Sequence, residues 1–155
     1  MGKDDTIASQ LLELEGYLTQ RDVMNSKVSK APVAWHLDHM LKAINGICDA
    51  LRISDPTTFK RQFSGSRILC FTFNYIPRGM AKAPRSVRPP DTIKTQDILD
   101  QLSTARQKLV VLAGLDKNAN FKHPYFKILN KTQSERFIRL HNEHHLKIVR
   151  DILGK

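Results

Sequence analysis

The sequence predicts an all-α protein, a four-helix bundle with an inserted region between the second and third long helices. Two observations lead to this prediction. Apolar residues recur at three- and four-residue spacing in four separate segments, and helix start and stop signals flank these segments. The connections are too long for a minimal hairpin bundle, which indicates the insertion. At 155 residues the chain fits one domain, and no boundary divides residues 1–155.

The first helix is expected within residues 4–22, where acidic residues precede an apolar face. The members of that face are Ile7, Leu11, Leu14 and Leu18. The second helix is expected to begin around Ser29 and Pro32, because serine caps helices and proline suits a first turn. It should end near Ile53, since Asp55 and Pro56 follow.

Residues 57–90 form the insertion. Phe59 and Phe63 fit a short helix, and for the aromatic run from Ile68 to Ile76 we favour helix over strand. Residues 77–90, the basic loop, are predicted to be a loop by their prolines and glycine. The basic loop contains no acidic residue and carries four cations that are candidates for anion binding: Arg78, Lys82, Arg85 and Arg88.

The third long helix is expected from about Thr95 to Ala113, with Gly114 as a left-handed stop. The loop that follows contains aromatic and apolar residues: Phe121, His123, Tyr125, Phe126 and Leu129. The last helix is predicted to start with a capping box between Thr132 and Glu135, in which each side chain satisfies the other residue's backbone amide.

The last helix carries two histidines on its inward face. His141 and His145 are about 6 Å apart along the helix axis at roughly 1.5 Å per residue, so both imidazoles can reach one atom. By spacing alone, core histidines with hydrogen-bonded rings are an equal alternative to metal ligands. A third imidazole would satisfy most of a zinc shell and leave a position for water or substrate. Nickel, iron(II) and manganese also accept imidazole ligands.

Separate motifs in the chain resemble the DinB-like superfamily of metal-binding helical bundles. The second helix contains Trp35-His-Leu-Asp-His39, and the last contains His141-Asn-Glu-His-His145. From about residue 29 to 152 the chain resembles one DinB-related family of unknown function. The segments that carry this closer resemblance are Ser-Lys-Ala-Pro-Val-Ala-Trp-His-Leu-Asp-His, Ile-Pro-Arg-Gly-Met-Ala-Lys-Ala-Pro, Phe-Lys-His-Pro-Tyr-Phe and His-Asn-Glu-His-His-Leu-Lys-Ile. Lys127 departs from that family, which usually has glycine there.

The resemblance implies a four-helix bundle, commonly a homodimer, in which His39, His141 and His145 bind a divalent metal. Zinc or nickel is expected first, with iron or manganese as alternatives. It also implies a thiol-dependent transferase that uses a low-molecular-weight thiol and a small-molecule substrate, and an open metal position equally suits a hydrolase. His36 is assigned to orienting the ligands, with a ligand role as the alternative. His123 either lines the mouth of the site or packs, and both interpretations stay open.

Three neighbours of these histidines in the sequence are expected to point elsewhere. His144 faces away from the stripe of His141 and His145, which places it at the rim or the surface. Asp38 and Glu143 project to other faces of their helices. Neither carboxylate is therefore assigned as a general base.

Two other functions remain as alternatives. The chain lacks an unmistakable catalytic acid or nucleophile, which keeps a non-catalytic metal- or ligand-binding bundle in contention. The net charge of +10 and the basic loop near Phe71, Phe73 and Tyr75 suit phosphates and bases, as in a nucleic-acid-binding module. We rank this second alternative lower, because aromatic residues in an apolar run are typical of a core and no nucleic-acid-binding signature is present.

The chain is expected to be a soluble cytoplasmic protein without a membrane partner. It contains no run of 18 apolar residues, and its first residues lack the apolar centre of a secretion signal. Cys48 and Cys70 lie in apolar surroundings without metal-site spacing, so they are expected to be reduced core residues.

Overall fold

The computed structural model describes residues 6–79 and 81–155, which form five helices and one β-hairpin. The helices are α1 (Ile7–Gly16), α2 (Val33–Ile53), α3 (Gly65–Phe73), α4 (Thr95–Ala113) and α5 (Lys131–Leu153), and the strands are β1 (Asn120–His123) and β2 (Lys127–Asn130). The prediction of a helical fold is confirmed, and the structure adds one two-stranded hairpin to the helices. None of the helices described is long and apolar enough to cross a membrane.

The core lies where α2 packs against α4 and α5, and where α1 packs against α5. The predicted apolar faces supply its most buried side chains: Leu11, Leu14, Met40, Ile44, Leu51, Ile98, Leu102 and Ile138. Each such side chain contributes about 1.5–3 kcal/mol when it leaves water. Cys48 is buried here as predicted, and burial raises the pKa of its thiol to about 11. Cys70, by contrast, is only half-buried.

Polar contacts fix α1 against α5. Arg150 donates from Nε to Glu13 at 2.7 Å and from Nη1 to Glu143 at 2.8 Å. These two carboxylates raise the pKa of Arg150, so its guanidinium stays charged. In the interior, Asn142 Nδ2 donates to Gln10 Oε1 at 3.2 Å. Glu143 is therefore engaged in helix packing, as its helical position predicts.

The first two helices begin and end differently from the prediction. Helix α1 is capped by Thr6 and ends at Gly16, after which the chain continues as a short 3-10 turn at Leu18–Gln20. Residues 4 and 5 of the predicted helix lie outside the described residues. Helix α2 starts after Pro32, which takes the cap position without a side-chain hydrogen bond. Ser29 does not cap this helix, because its hydroxyl contacts His36 and accepts from the Ala31 amide.

The ends of α4 and α5 correct two further details. Gly114 has φ −86°, so the predicted left-handed stop of α4 is wrong. Helix α5 begins at Lys131, and its capping box joins Asn130 and Gln133 rather than the predicted pair two residues later. Asn130 ends strand β2 in an extended conformation, which suits a cap residue, so the cap falls at the end of the strand.

Helix α3 confirms the helical interpretation of the aromatic run. Ser64 caps it by accepting from the Arg67 amide, and Asn74 ends it in a left-handed conformation with φ 51°. The short helix expected at Phe59 and Phe63 is wrong. Asp55 instead caps a single 3-10 turn at Pro56–Thr58, because its side chain accepts the Thr57 amide and hydroxyl.

The segment before α5 is a hairpin where a loop was expected. Its strands pair Phe121 with Leu129 and His123 with Lys127, and it packs against α2 and α5. Lys127 has φ 60°, a left-handed conformation that favours glycine.

Candidate metal centre

Helices α2 and α5 bring three histidines together. His39 projects from α2, and His141 and His145 project from successive turns of α5, which packs against α2. Their ring centroids form a nearly equilateral triangle: 4.9 Å between His39 and His141, and 4.7 Å for each of the other pairs. One nitrogen of each ring lies within 4.8 Å of the others, so the three imidazoles could hold a metal ion.

The separation of two of the nitrogens fits a shared ion. Nε2 of His39 and Nε2 of His141 lie 3.1 Å apart. Two imidazoles on one tetrahedral zinc ion, with bonds of about 2.0–2.1 Å, would place their nitrogens about 3.3 Å apart. The same distance allows a hydrogen bond between the two rings, which was the alternative left open by the sequence. On a shared ion both nitrogens present lone pairs, whereas in a hydrogen bond Nε2 of His141 would donate to the free Nε2 of His39.

Burial keeps the imidazoles neutral. His39 and His145 are 5% and 7% exposed, and His141 is half-buried. Burial lowers the pKa of all three, and the neighbouring histidines lower those of His141 and His145 further. The hydrogen bond to Val87 offsets part of this effect for His39. Neutral imidazole is the form that binds metals, so the cluster is in its ligand form at pH 7.

A backbone carbonyl orients His39. Its Nδ1 lies 2.8 Å from the Val87 oxygen, which can only accept, so Nδ1 carries the hydrogen and Nε2 is left as a free base facing His141. Trp35 stacks on the same ring at a centroid distance of 5.0 Å and an angle of 22°. Sequence reasoning missed Val87, because a carbonyl acceptor has no residue-type signature.

His36 stands behind His145 in the interior. It is 4% exposed, and its Nδ1 lies 3.0 Å from Nδ1 of His145. Its other nitrogen, Nε2, lies 3.1 Å from Ser29 Oγ. Burial, together with His39 and other nearby charges, lowers the pKa of His36 to about 4. Ser29, His36 and His145 thus form a continuous series of polar contacts that joins the cluster at His145.

His123 packs beside the cluster without joining it. Its Nδ1 accepts the amides of Tyr125 and Phe126, each at 3.1 Å, which closes the hairpin turn. Its ring stacks on Phe126 and meets Phe137 edge-on at a centroid distance of 4.4 Å. Phe137 lies between it and His141, at 5.4 Å from the latter. Burial lowers the pKa of His123 to about 4.

The remaining polar neighbours serve other contacts. His144 is half-buried at the rim, where its pKa is lowered by burial and partly restored by a hydrogen bond to the Ile76 backbone. Asp38 is 1% exposed, pairs with Lys42 and accepts from Gln101 Nε2 at 2.6 Å. Among residues 6–79 and 81–155, the group that could hold a metal ion therefore consists of three imidazoles without a carboxylate.

The basic loop contacts the cluster through Val87, and it contacts the hairpin through the Tyr125 hydroxyl, which donates to the Lys82 carbonyl. Arg78 forms an ion pair with Asp151 at 2.7 Å, and its charge contributes to the lowered pKa values of His36 and His144. The four cations proposed from the sequence are all exposed: Arg78, Lys82, Arg85 and Arg88.

The fold and the site define a mostly helical protein with a cluster of three histidines that could hold a metal ion. No protein-family model matches the chain, and no curated protein or solved structure is significantly similar to it. Function is therefore inferred from the geometry of the site.

Proposed function

We propose that this protein is a divalent-metal-dependent enzyme of the DinB-like kind, with His39, His141 and His145 as ligands. The observation that carries the proposal is the triangle of imidazoles, with centroid separations of 4.7–4.9 Å. Three protein ligands leave a tetrahedral ion one open position, which is the arrangement of catalytic rather than structural sites.

The donor set favours an anionic partner at the open position. Because the three imidazoles are neutral, the protein leaves the positive charge of a divalent ion uncompensated. When bound, such an ion stabilises a thiolate or activates a water molecule. Thiol transfer to an electrophile and hydrolysis are the two reactions that follow. Zinc or nickel is the proposed metal, with iron or manganese as alternatives.

The surrounding residues hold and cover this arrangement. The Val87 carbonyl directs Nε2 of His39 inward, and Trp35 covers one face of that ring. His36 contacts His145 through the Nδ1 atoms of both rings. Arg85 and Arg88 are close to Val87 in the chain, and we propose that the cations of the basic loop receive the carboxylates of a low-molecular-weight thiol or of an acidic substrate.

Two observations support the DinB-like assignment, which brings with it a four-helix bundle and a homodimer. The cluster combines one histidine of the second long helix with two of the last, as in that superfamily. Lys127 takes the left-handed conformation expected where members of that family have glycine.

Leu69 and Phe73 of α3 are 60% and 72% exposed, an apolar surface that a second copy could cover. Sedimentation equilibrium tests the dimer.

The metal site is tested by elemental analysis of protein purified without chelator or histidine tag. We expect about one transition-metal ion per chain in the wild type, as a single three-histidine site would bind. The His141→Ala/His145→Ala variant should lose it, whereas the His144→Ala control should keep it. Absence of metal from the wild type after reconstitution with zinc, nickel and manganese would return the three histidines to hydrogen-bonded core roles.

Turnover separates the enzyme from a non-catalytic metal-binding bundle. Fully metallated protein is assayed for binding of low-molecular-weight thiols and for reaction with a panel of electrophiles and esters. Thiol binding that disappears in the His141→Ala/His145→Ala variant supports the transferase, and ester hydrolysis supports the hydrolase. Metallated protein that does neither would favour the non-catalytic bundle.

One observation favours the second candidate, a nucleic-acid-binding module. Phe73 and Tyr75 are 72% and 55% exposed, and they lie directly before the basic loop. They were expected in the core, where only Phe71 of this run is buried. Exposed aromatic rings beside cations suit stacked bases and phosphates. Salt-dependent binding of mixed single- and double-stranded oligonucleotides, weakened by Phe73→Ser, is the expected result, and no binding at low salt would dismiss this candidate.

A further inference from the structure

A groove of about 510 Å³ lies between α3, the segment that precedes it and the start of α5. Its volume falls in the range of about 300–1,000 Å³ that is usual for small-ligand sites. Six of its lining residues are Arg61, Phe63, Arg67, Ile68, Phe71 and Arg136. No histidine lines it, so it is a feature separate from the three-histidine cluster.

The groove is positively charged and lacks acidic residues. Three of its lining residues are arginines, and none is a carboxylate. Within residues 6–79 and 81–155, no ion pair joins Arg61, Arg67 or Arg136 to an acidic side chain. Three guanidinium groups around one concave surface therefore attract an anion from outside the chain.

Arg67 is the least solvated of the three. It is 7% exposed, and its guanidinium donates to the carbonyls of Gln62, Phe126 and Ile128 at 2.6, 3.4 and 3.4 Å. Carbonyl dipoles compensate a buried charge less completely than a carboxylate does. Guanidinium has five N–H donors. The Nε hydrogen and one Nη2 hydrogen of Arg67 have no acceptor among the described residues.

Arg136 is held at the wall of the groove. Its Nη2 donates to the Phe71 carbonyl, and its guanidinium carbon lies 4.9 Å from the centroid of the Phe71 ring. This stacked arrangement restricts the guanidinium before any ligand arrives, which reduces the entropy lost on binding. Arg61 is exposed and lies on the same groove.

The groove also has an apolar part. Phe63 and Ile68 are 76% and 46% exposed and line it together with buried Phe71. We infer that this groove binds an amphipathic organic anion, with a carboxylate or phosphate on the arginines and an apolar body against Phe63 and Ile68.

An aromatic wall separates this groove from the proposed metal site. Ring centroids lie 5.8 Å apart for Phe71 and Phe126, 5.7 Å for Phe126 and Phe137, and 5.4 Å for Phe137 and His141. The groove thus adds a ligand site beyond the proposed function, and it does not depend on metal.

Two dyes that differ in one group test the inference. 1-Anilinonaphthalene-8-sulfonate is anionic, and N-phenyl-1-naphthylamine is the same aromatic body without the sulfonate. Fluorescence titrations should give saturable binding of the anionic dye that is at least about tenfold tighter than that of the neutral dye, the equivalent of one charge-assisted contact. A chelator should not change this result. Equal affinities for both dyes would overturn the inference.

Variants locate the binding. Arg61→Gln and Arg136→Gln should each weaken the anionic dye roughly tenfold and leave the neutral dye within about twofold. Phe63→Ser should weaken the binding of both dyes.

Arg52→Gln, an exposed arginine at the end of α2 outside the groove, is the matched control and should change the binding of neither. Circular dichroism verifies folding. Arg67 is left intact because its three carbonyl contacts hold the segment in place. Unchanged anionic-dye affinity in folded Arg61→Gln and Arg136→Gln would overturn the inference.

Displacement of the bound dye identifies the anionic group. 1-Naphthoate presents a carboxylate and 1-naphthyl phosphate presents a phosphate, each on the same aromatic body. Displacement by either compound supports the inference and assigns the group. Failure of both to displace the dye, at concentrations that saturate an arginine site, would contradict it.

Discussion

The Nδ1 atoms of His36 and His145 lie 3.0 Å apart in the interior, and Nε2 of His36 lies 3.1 Å from Ser29 Oγ. Only one hydrogen can lie between the two Nδ1 atoms of neutral rings. If Ser29 accepts from Nε2 of His36, that ring has a free Nδ1 that accepts from His145. Nε2 of His145 is then a free base, which is the form that a metal requires.

The hydrogen-bonded series from Ser29 through His36 to His145 predicts that Ser29 and His36 raise the metal affinity of the site without binding the ion themselves. Ser29→Ala should lower the affinity about tenfold, and His36→Ala about 10- to 100-fold, because the supporting partners of ligands contribute on this scale. Competition with a chromophoric chelator measures both effects. Ser26→Ala, an exposed serine three residues earlier, is the matched control. Affinity unchanged in both folded variants would show that His145 needs no support from this side.

The turn closed by His123 predicts a loss of stability in acid. Burial lowers its pKa from 6.5 to about 4, so between these values the unfolded chain binds a proton that the folded chain does not. The contribution of neutral His123 to the free energy of unfolding is fully present above pH 6.5. It falls as the pH drops toward 4, by about 3 kcal/mol in total. Protonation at Nδ1 would also remove the acceptor of two backbone amides.

His123→Asn tests this prediction, because a side-chain amide oxygen can accept the same two amides but does not titrate. The free energy of unfolding is measured by urea denaturation at pH 7 and pH 4 for both proteins. We expect a smaller difference between the two pH values in the variant. The other buried histidines keep that difference above zero. An equal difference in both proteins would exclude His123 as a source of acid sensitivity.

The left-handed backbone at Lys127 predicts that replacing this residue by glycine stabilises the protein. Its φ of 60° costs a non-glycine residue about 1–2 kcal/mol, and glycine loses about 0.5–1 kcal/mol more backbone entropy on folding, so Lys127→Gly should raise the free energy of unfolding by about 0.5–1 kcal/mol. Lys122→Gly is the matched control, an exposed lysine in the opposite strand without a positive φ. It should destabilise the protein by a similar amount. Destabilisation by both substitutions would contradict the strain at Lys127.

The contact between Arg150 and Glu13 predicts coupling between α1 and α5. Both side chains are about one-fifth exposed, at 20% and 18%, so solvent screens the pair only partly. Arg150→Met should cost about 1–3 kcal/mol, because Glu13 and Glu143 both lose their contact with the guanidinium. A double-mutant cycle with Glu13→Gln should give a coupling energy of about 1 kcal/mol. Lys147→Met, at an exposed position on the same helix, should change stability little, and a coupling near zero would contradict the prediction.

Much of the helical fold follows from local patterns. The bounds of α4 and the buried faces of α1, α2 and α5 were predictable, because amphipathic spacing is a property of neighbouring residues. The hairpin was not, since Phe121 and Leu129 form a strand pair only through their contact with each other and with the helices. The cap of α5 was also missed, because the competing cap residues Asn130 and Thr132 lie only two positions apart.

For the site, residue types and their spacing are enough to identify the imidazoles with the right chemistry. His141 and His145 share a face because their spacing is one helical turn, and this is fixed by backbone geometry. The packing of the elements shows that His39 completes their triangle, that the Val87 carbonyl sets its tautomer and that Ser29 contacts His36 rather than capping α2. The reason is physical: these contacts join residues separated by many positions, and their distances depend on how whole helices and the basic loop pack together.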